Sequence, residues 1–154
     1  MTYRIEVLKS SPAVYMRHTG PYGSPENFNM MIEFKSWMAK NKLQDDLGTF
    51  GILGIALDNP QETFPEACRY DLVLCVSNQQ TFNSSTEVKT TQFEGGTYAV
   101  FTIPHTTESV QQFWQGLSDI IAQNQLHLLD KPIIERFKEE EGIDNYCEFL
   151  LPVK

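Results

Sequence analysis

The sequence predicts an α+β fold made of two β-α-β-β units, an antiparallel sheet with two main helices packed on it. Its 154 residues suit a single domain, 1–154, with a full hydrophobic core. The order strand, helix, strand, strand occurs twice, and equivalent elements lie about 76 to 82 residues apart, close to half the chain length. The half-repeats therefore cover about 1–80 and 88–154. A pseudo-twofold arrangement of two such halves leaves a cleft between them, which is a common place for a ligand.

The first unit begins with two strands, which alternation of apolar and polar residues predicts at 3–9 and 13–18. Ser24 is a suitable N-cap and Pro25 suits the first helical position, so a helix should run from there to about residue 42. Its apolar residues cover more than one stripe, which predicts two buried contacts. They are Phe28, Met31, Ile32, Phe34, Trp37 and Met38. Strands at 49–57 and 70–76 complete the unit.

The second unit repeats this order after a polar segment, 77–87, which we interpret as the boundary between the halves. A strand at 90–103 contains Gly95 and Gly96, which predict a bend or break within it. A helix begins after Thr106 or Thr107 and carries one apolar stripe with helical spacing. Strands at 132–138 and 146–153 close the unit.

Composition excludes several classes of function. Twelve basic and 20 acidic residues give a net charge of −8, which is unfavourable for direct nucleic-acid binding and favours cationic or neutral partners. No stretch approaches the roughly 20 apolar residues of a membrane span, and the N-terminus lacks the apolar core of a signal peptide. The three cysteines, Cys68, Cys75 and Cys147, form no C-x-x-C pair, so we expect buried thiols in a reducing cytoplasm. Signatures of phosphate, dinucleotide and zinc sites are missing from the sequence, so we expect neither cofactor nor metal.

Glu135 is the leading candidate for a functional residue. Strand alternation puts Ile133, Glu135 and Phe137 on one face, so the carboxylate lies either at an exposed sheet margin or inside a cavity. In a cavity, desolvation raises its pKa unless a cation compensates, and aromatic walls would add cation–π contacts to a lipophilic cation. Glu148, between Tyr146 and Leu150, presents the same ambiguity.

The aromatic residues supply candidate walls for such a cavity. Each one alone is explained by ordinary core packing, but Glu135 would need apolar neighbours from both halves. We predict that Glu135 lies in a pocket between the halves, with Tyr70, Trp114 and Phe137 as neighbours and Trp37 as a further candidate.

Motifs along almost the whole chain resemble the GyrI-like (DNA gyrase inhibitor-like) family. The matching segments, in chain order, are VYMRHTGPY (14–22), Trp37 with AKNKL (39–43), DNP (58–60), Thr63, Pro65, Glu66, RYD (69–71), EGGTYAV (94–100), and Pro132 with Glu135. Each motif is weak alone, but their number and order are specific.

The resemblance implies a duplicated β-α-β-β fold and the function of an effector-binding domain in AraC- and MerR-type multidrug-responsive transcription regulators. In drug-sensing members an acidic residue on the late strand, matching Glu135, pairs with lipophilic cations between aromatic walls. The effector domain here begins at residue 1, so we expect a free-standing module that would need a separate regulatory partner.

Three functions remain open at this point. The leading hypothesis is a stand-alone binding module for amphipathic, preferably cationic, small molecules. An alternative, which the family also implies, is a hydrolase that opens cyclopropane-type genotoxins with Glu135 as general base. The third is a protein that modulates gyrase through acidic surfaces at Asp45, Asp46 and 139–141. The residues leave the natural ligand and the oligomeric state undetermined.

Overall fold

A computed structural model describes residues 2–77, 87–138 and 145–154 of the chain. The first unit contains β1 (Arg4–Leu8), β2 (Ser11–Thr19), α1 (Pro25–Lys40), α2 (Gln44–Phe50), β3 (Ile52–Ala56) and β4 (Arg69–Cys75), with a short 3-10 turn before β4. The second contains β5 (Lys89–Phe93), β6 (Gly96–Pro104), α3 (Thr107–Gln115), α4 (Leu117–Gln123), β7 (Ile134–Phe137) and β8 (Tyr146–Pro152). The predicted α+β class is therefore confirmed.

All eight strands form one antiparallel sheet in the order β1-β6-β8-β7-β3-β4-β2-β5. This order is unchanged when the two units are exchanged, so a pseudo-twofold axis passes between β7 and β3. Each unit also gives its first strand to the other: β1 pairs with β6, and β5 pairs with β2. The two halves are thus interlocked as well as adjacent.

The helices lie on one face of the sheet and form two separate cores with it. The core of the first unit joins α1, through Met30, Phe34 and Met38, to apolar residues of β2 and β4. The core of the second unit packs Phe113 of α3 against β6 and β8. On the opposite face a third core, drawn from both units, lies inside the curl of the sheet. The two helix-side cores are therefore separate along the middle of the sheet, where β7 and β3 meet.

The first main helix matches its predicted bounds closely, whereas the second is interrupted where the sequence predicted a continuous helix. The helix α1 ends at Lys40, and Lys42 adopts a left-handed conformation with φ of 58°. Residues 44–50, partly predicted as strand, form α2, whose first turn contains Asp45 and Asp46 and so favours a helix N-terminus. In the second unit Gly116 separates α3 from α4, and Thr106 caps α3 by accepting a hydrogen bond from the Ser109 N–H at 3.1 Å.

The break predicted within the strand at 90–103 is confirmed, because the backbone at Gly95 leaves the extended conformation and separates β5 from β6. Gly95 has φ of 77°, and a Cβ there would collide with the carbonyl oxygen of Leu8. The break therefore sends β5 and β6 to different places in the sheet.

The burial of individual residues decides the expectations for the second contact of α1 and for the acidic surface. Only one side of α1 is buried, since Phe28 and Ile32 are 71% and 66% exposed, so the predicted second contact is wrong. Asp46 is buried and accepts a hydrogen bond from the Ser77 N–H at 3.1 Å, so it is not part of an acidic surface. Of the boundary predicted at 77–87, only the first and last residues lie within the described ranges. The acidic run 139–141 lies outside them. No helix in the described ranges is long and apolar enough to cross a membrane.

Candidate ligand-binding site

Glu135 lies at the centre of the sheet, on β7 next to the pseudo-twofold axis. Its cross-strand partners are Gly54 on β3 and Phe149 on β8. Directly opposed residues share a face, and Phe149 belongs to the helix-side core of the second unit. The carboxylate therefore projects on the helix-bearing face between the two helix-side cores, and not at an exposed margin of the sheet.

Gly54 leaves the space in which two aromatic rings approach Glu135. A Cβ at Gly54 would collide with the Tyr70 hydroxyl and lie 3.2 Å from Cε2 of Phe137. The two rings therefore close over the backbone of Gly54, directly beside the carboxylate that opposes it. Tyr22 packs edge-on against Tyr70, with ring centroids 6.3 Å apart, and supports it from the first unit.

The surroundings of Glu135 are apolar and provide no compensating charge. Burial raises the pKa of Glu135 to about 7, and among the residues that the structure describes no cationic side chain or hydrogen-bond donor is paired with its carboxylate. Burial, and secondarily the charge of Glu135, also raises the pKa of Tyr70. The pKa of Cys147 rises to about 12, mainly through burial, with smaller contributions from Glu135 and Glu148. The site is therefore a low-dielectric environment around one acidic group.

The second unit supplies the remaining aromatic surface. Phe149 is fully buried opposite Glu135, and Trp114 packs edge-on against it with ring centroids 5.3 Å apart. Trp114 is nevertheless 41% exposed, so part of its indole faces solvent above the sheet. The Phe137 ring contacts His105 at a centroid distance of 5.5 Å. Tyr70 and Phe137 thus lie beside Glu135, and Trp114 packs on Phe149, which opposes Glu135. That these residues form the walls of a ligand pocket stays a prediction.

Trp37 lies elsewhere on α1. Its ring stacks on Phe34 at a centroid distance of 6.3 Å, within the core of the first unit. Glu33, one helical turn earlier on the same flank, lines a groove formed with β2 and β5. Trp37 therefore lies on the side of α1 that faces β5, away from β7. Its role in binding stays a prediction.

Glu148 is on the opposite face from Glu135 and has a structural environment. It accepts hydrogen bonds from Arg136 at 2.8 Å and from Arg4 at 2.5 Å, and Arg136 also donates to Glu6 at 2.5 Å. Although burial opposes ionisation, the bonds from these two arginines lower the pKa of Glu148. The two carboxylates that looked alike in sequence therefore differ: Glu148 is paired with cations, whereas Glu135 has no cationic partner within residues 2–77, 87–138 and 145–154.

The open groove beside Glu33 is separate from Glu135. It has a volume of about 520 Å³, lies between α1, β2 and β5, and has walls of mixed charge that include Arg17 and Lys89. Arg17 is already neutralised by Asp71, to which it donates at 2.7 and 2.9 Å. We assign the candidate site to Glu135 because its carboxylate is partly buried and has no cationic partner in the part of the chain that the structure describes. Within the described ranges no group of three His, Cys, Asp or Glu side chains could hold a metal ion.

Gly54 and Phe149 are the site residues that sequence reasoning missed. Strand alternation puts Phe149 on the same face as Cys147 and Leu151, so the face of its side chain could be predicted from the sequence. Its place opposite Glu135 could not, because it depends on the register of β7 with β8. Gly54 is signalled only by its position inside an apolar strand, where glycine marks close approach of another group.

Comparison with known proteins identifies the family. The model of the GyrI-like small molecule binding domain matches residues 1–154. Over 157 aligned residues, covering all of both chains, the sequence is 37% identical to the "SPbeta prophage-derived putative transcriptional regulator YosT" of Bacillus subtilis (strain 168).

Solved structures show the same fold at low identity. SAV2435 bound to tetraphenylphosphonium is 18% identical with a TM-score of 0.56, and the alignment covers all of this chain and 94% of that one. A hydrolase from Listeria innocua is 10% identical with a TM-score of 0.64, covering 99% of this chain and 91% of that one. On the whole-length family match and the similarity to YosT, this chain belongs to the GyrI-like small molecule binding domain family.

Proposed function

We propose that the protein binds amphipathic, preferably cationic, small molecules in the cleft between α1 and α3, with Glu135 at its base. The observation that carries this proposal is the partly buried carboxylate of Glu135, which lies on the helix-bearing face and has no counter-cation among the described residues. An ionised carboxylate in such a place is unfavourable alone, and a lipophilic cation removes the penalty by pairing with it.

The aromatic residues fit the apolar part of such a ligand. Tyr70 and Phe137 close beside Glu135, and Trp114 presents a partly exposed indole on the side of the second unit. A cation held over one of these rings gains about 0.5–2 kcal/mol from each cation–π contact. The bound tetraphenylphosphonium of SAV2435, a lipophilic cation, supports the ligand class, although the low identity extends only to the fold.

The biological role that we propose is effector sensing or drug sequestration in the cytoplasm. The similarity to YosT supports a link to transcription regulation. The net charge of −8 disfavours direct contact with nucleic acid, so regulation would pass through a protein partner. Asp46 is buried, so it cannot belong to the acidic surface that the gyrase-modulation hypothesis requires.

Titration with two ions of the same shape tests the binding proposal. Tetraphenylphosphonium is a cation and tetraphenylborate an anion of nearly equal size, so their affinities differ mainly through charge. At pH 8 the wild-type protein should bind the cation more tightly, and Glu135→Gln should weaken its binding by about tenfold or more, equivalent to one lost charge pair.

Glu94→Gln is the matched control, because it removes an exposed carboxylate in the turn between β5 and β6. We expect it to leave both affinities unchanged. Equal affinity of wild type and Glu135→Gln for the cation would refute the role of Glu135.

A hydrolytic function is the second candidate, and the pKa of Glu135 favours it. A carboxylate with a pKa of about 7 suits a general base at neutral pH, which could activate water against a strained ring. Incubation with a cyclopropane-containing alkylator distinguishes the two functions. Ring-opened product formed by wild type but not by Glu135→Gln would establish the hydrolase, and formation at the uncatalysed rate would leave binding as the function.

A further inference from the structure

One end of the sheet exposes an apolar strand edge. Strand β1 is last in the sheet order, and among the described residues it pairs only with β6. The side chains of Tyr3, Ile5 and Val7 project on its helix-bearing face and are 38%, 55% and 68% exposed. An apolar strand with a free edge readily pairs with another strand.

The other end of the sheet provides an internal comparison. Strand β5 is the pseudo-equivalent of β1, and its residues on the helix-bearing face are Thr90 and Gln92. Both are exposed and polar, which is how proteins protect a free edge. The apolar residues at β1 are therefore a local feature of this edge and not a consequence of the fold.

The sequence of β1 is complementary to itself in one antiparallel register. We propose that two copies of the chain pair through β1, with Ile5 opposite Ile5 across a twofold axis. This register also sets Tyr3 opposite Val7 on the apolar face, and Arg4 opposite Glu6 on the other face. Apolar residues then meet apolar residues, and opposite charges meet.

The charges of Arg4 and Glu6 also make the neighbouring registers unfavourable. A shift by two residues in one direction opposes Glu6 to Glu6, and in the other direction Arg4 to Arg4. A shift by one residue opposes apolar residues to charged ones. The side chains of Arg4 and Glu6 retain 49% and 29% exposure beside their ion pairs within the chain, so both are accessible to a second copy.

Sedimentation of the full chain tests the proposal, which does not depend on the ligand. Wild type should sediment as a dimer at concentrations of about 100 μM and dissociate on dilution. Ile5→Lys should raise the dissociation constant by at least about tenfold, because it buries unpaired like charges at the axis. Thr90→Lys, at the equivalent place on β5, should leave it unchanged. Circular dichroism and thermal unfolding establish that each variant is folded.

Cysteine substitution reads the register. In the proposed dimer the two residues at position 5 are about 4.5–5.5 Å apart between Cα atoms, within reach of a disulfide, whereas the two at position 7 are about 14 Å apart. Mild oxidation should therefore cross-link Ile5→Cys and not Val7→Cys, and the buried native thiols of wild type should give no cross-link. The proposal would be overturned if wild type were monomeric at every concentration, which would leave the edge to a strand of another protein. Cross-linking at position 7 instead of position 5 would also overturn it.

Discussion

The chemistry of Glu135 is set by the residues around it. Alternation along the strand correctly places Glu135 and Phe137 on one face, and the structure shows this face to be the interior one. Sequence could not separate Glu135 from Glu148, because each is a carboxylate flanked by apolar residues. The difference arises from the pairing of β7 with β8, which directs Glu148 to Arg136 and Glu135 to Phe149.

Removing the charge of Glu135 should stabilise the protein at alkaline pH. The folded pKa of about 7 lies above the ordinary value of 4.5, so between these values the native state holds a proton that the unfolded state has lost. Stability therefore falls as pH rises through this window, and the full penalty is present above pH 7. Glu135→Gln should raise the free energy of unfolding by about 2–3 kcal/mol at pH 8 and by little at pH 4.5.

Urea unfolding at both pH values measures this difference. The control, Glu94→Gln, should show no such pH-dependent gain, because its carboxylate is exposed. If Glu135→Gln is equally stable relative to wild type at pH 4.5 and pH 8, the carboxylate is not desolvated in the folded protein.

At the scale of elements, the types of the principal strands and helices were predictable and their interruptions were less so. The N-terminal signals Ser24 and Thr106 correctly mark the starts of α1 and α3. The end of α1 depends on the left-handed conformation of Lys42, a residue with no intrinsic preference for it. The apolar run at 49–57 resembles one strand, yet its first two residues complete α2, since short apolar segments have no distinctive period.

The absence of a side chain at Gly54 of β3 shapes the site, and Gly54→Ala should impair it selectively. The new Cβ must displace the Tyr70 ring, whose hydroxyl is the nearest atom, so the wall beside Glu135 moves. We expect tetraphenylphosphonium affinity to fall by about tenfold, while the free energy of unfolding falls by about 1 kcal/mol, because a ring can shift more easily than backbone.

Gly48→Ala is the control, because Gly48 lies in α2 with open space around its Cα. This substitution should leave affinity unchanged and raise stability slightly through helix propensity. Affinity that is unaffected by Gly54→Ala would show that the ligand does not contact the Tyr70 wall.

At the scale of the whole molecule, the offsets between equivalent elements correctly predict the duplication. The cleft expected between the halves stays a prediction. The exchange of β1 and β5 between the units was not predictable, because strand pairing over such separations depends on the complete sheet. This exchange interlocks the units, so both halves are held by one continuous set of hydrogen-bonded strands. The aromatic walls from the two units are therefore positioned by the same sheet that positions Glu135.

The pH dependence of tetraphenylphosphonium affinity, in wild type and Glu135→Gln, tests the central claim most directly. A cation binds the ionised carboxylate, so its apparent affinity should fall as pH drops through the pKa of about 7 and the ionised fraction decreases. We predict that wild type binds about tenfold more weakly at pH 6 than at pH 8, and that the weaker binding of Glu135→Gln does not change between these pH values. An equal affinity of wild type at both pH values, or the same pH dependence in the variant, would contradict the assignment of Glu135 as the cation-binding group.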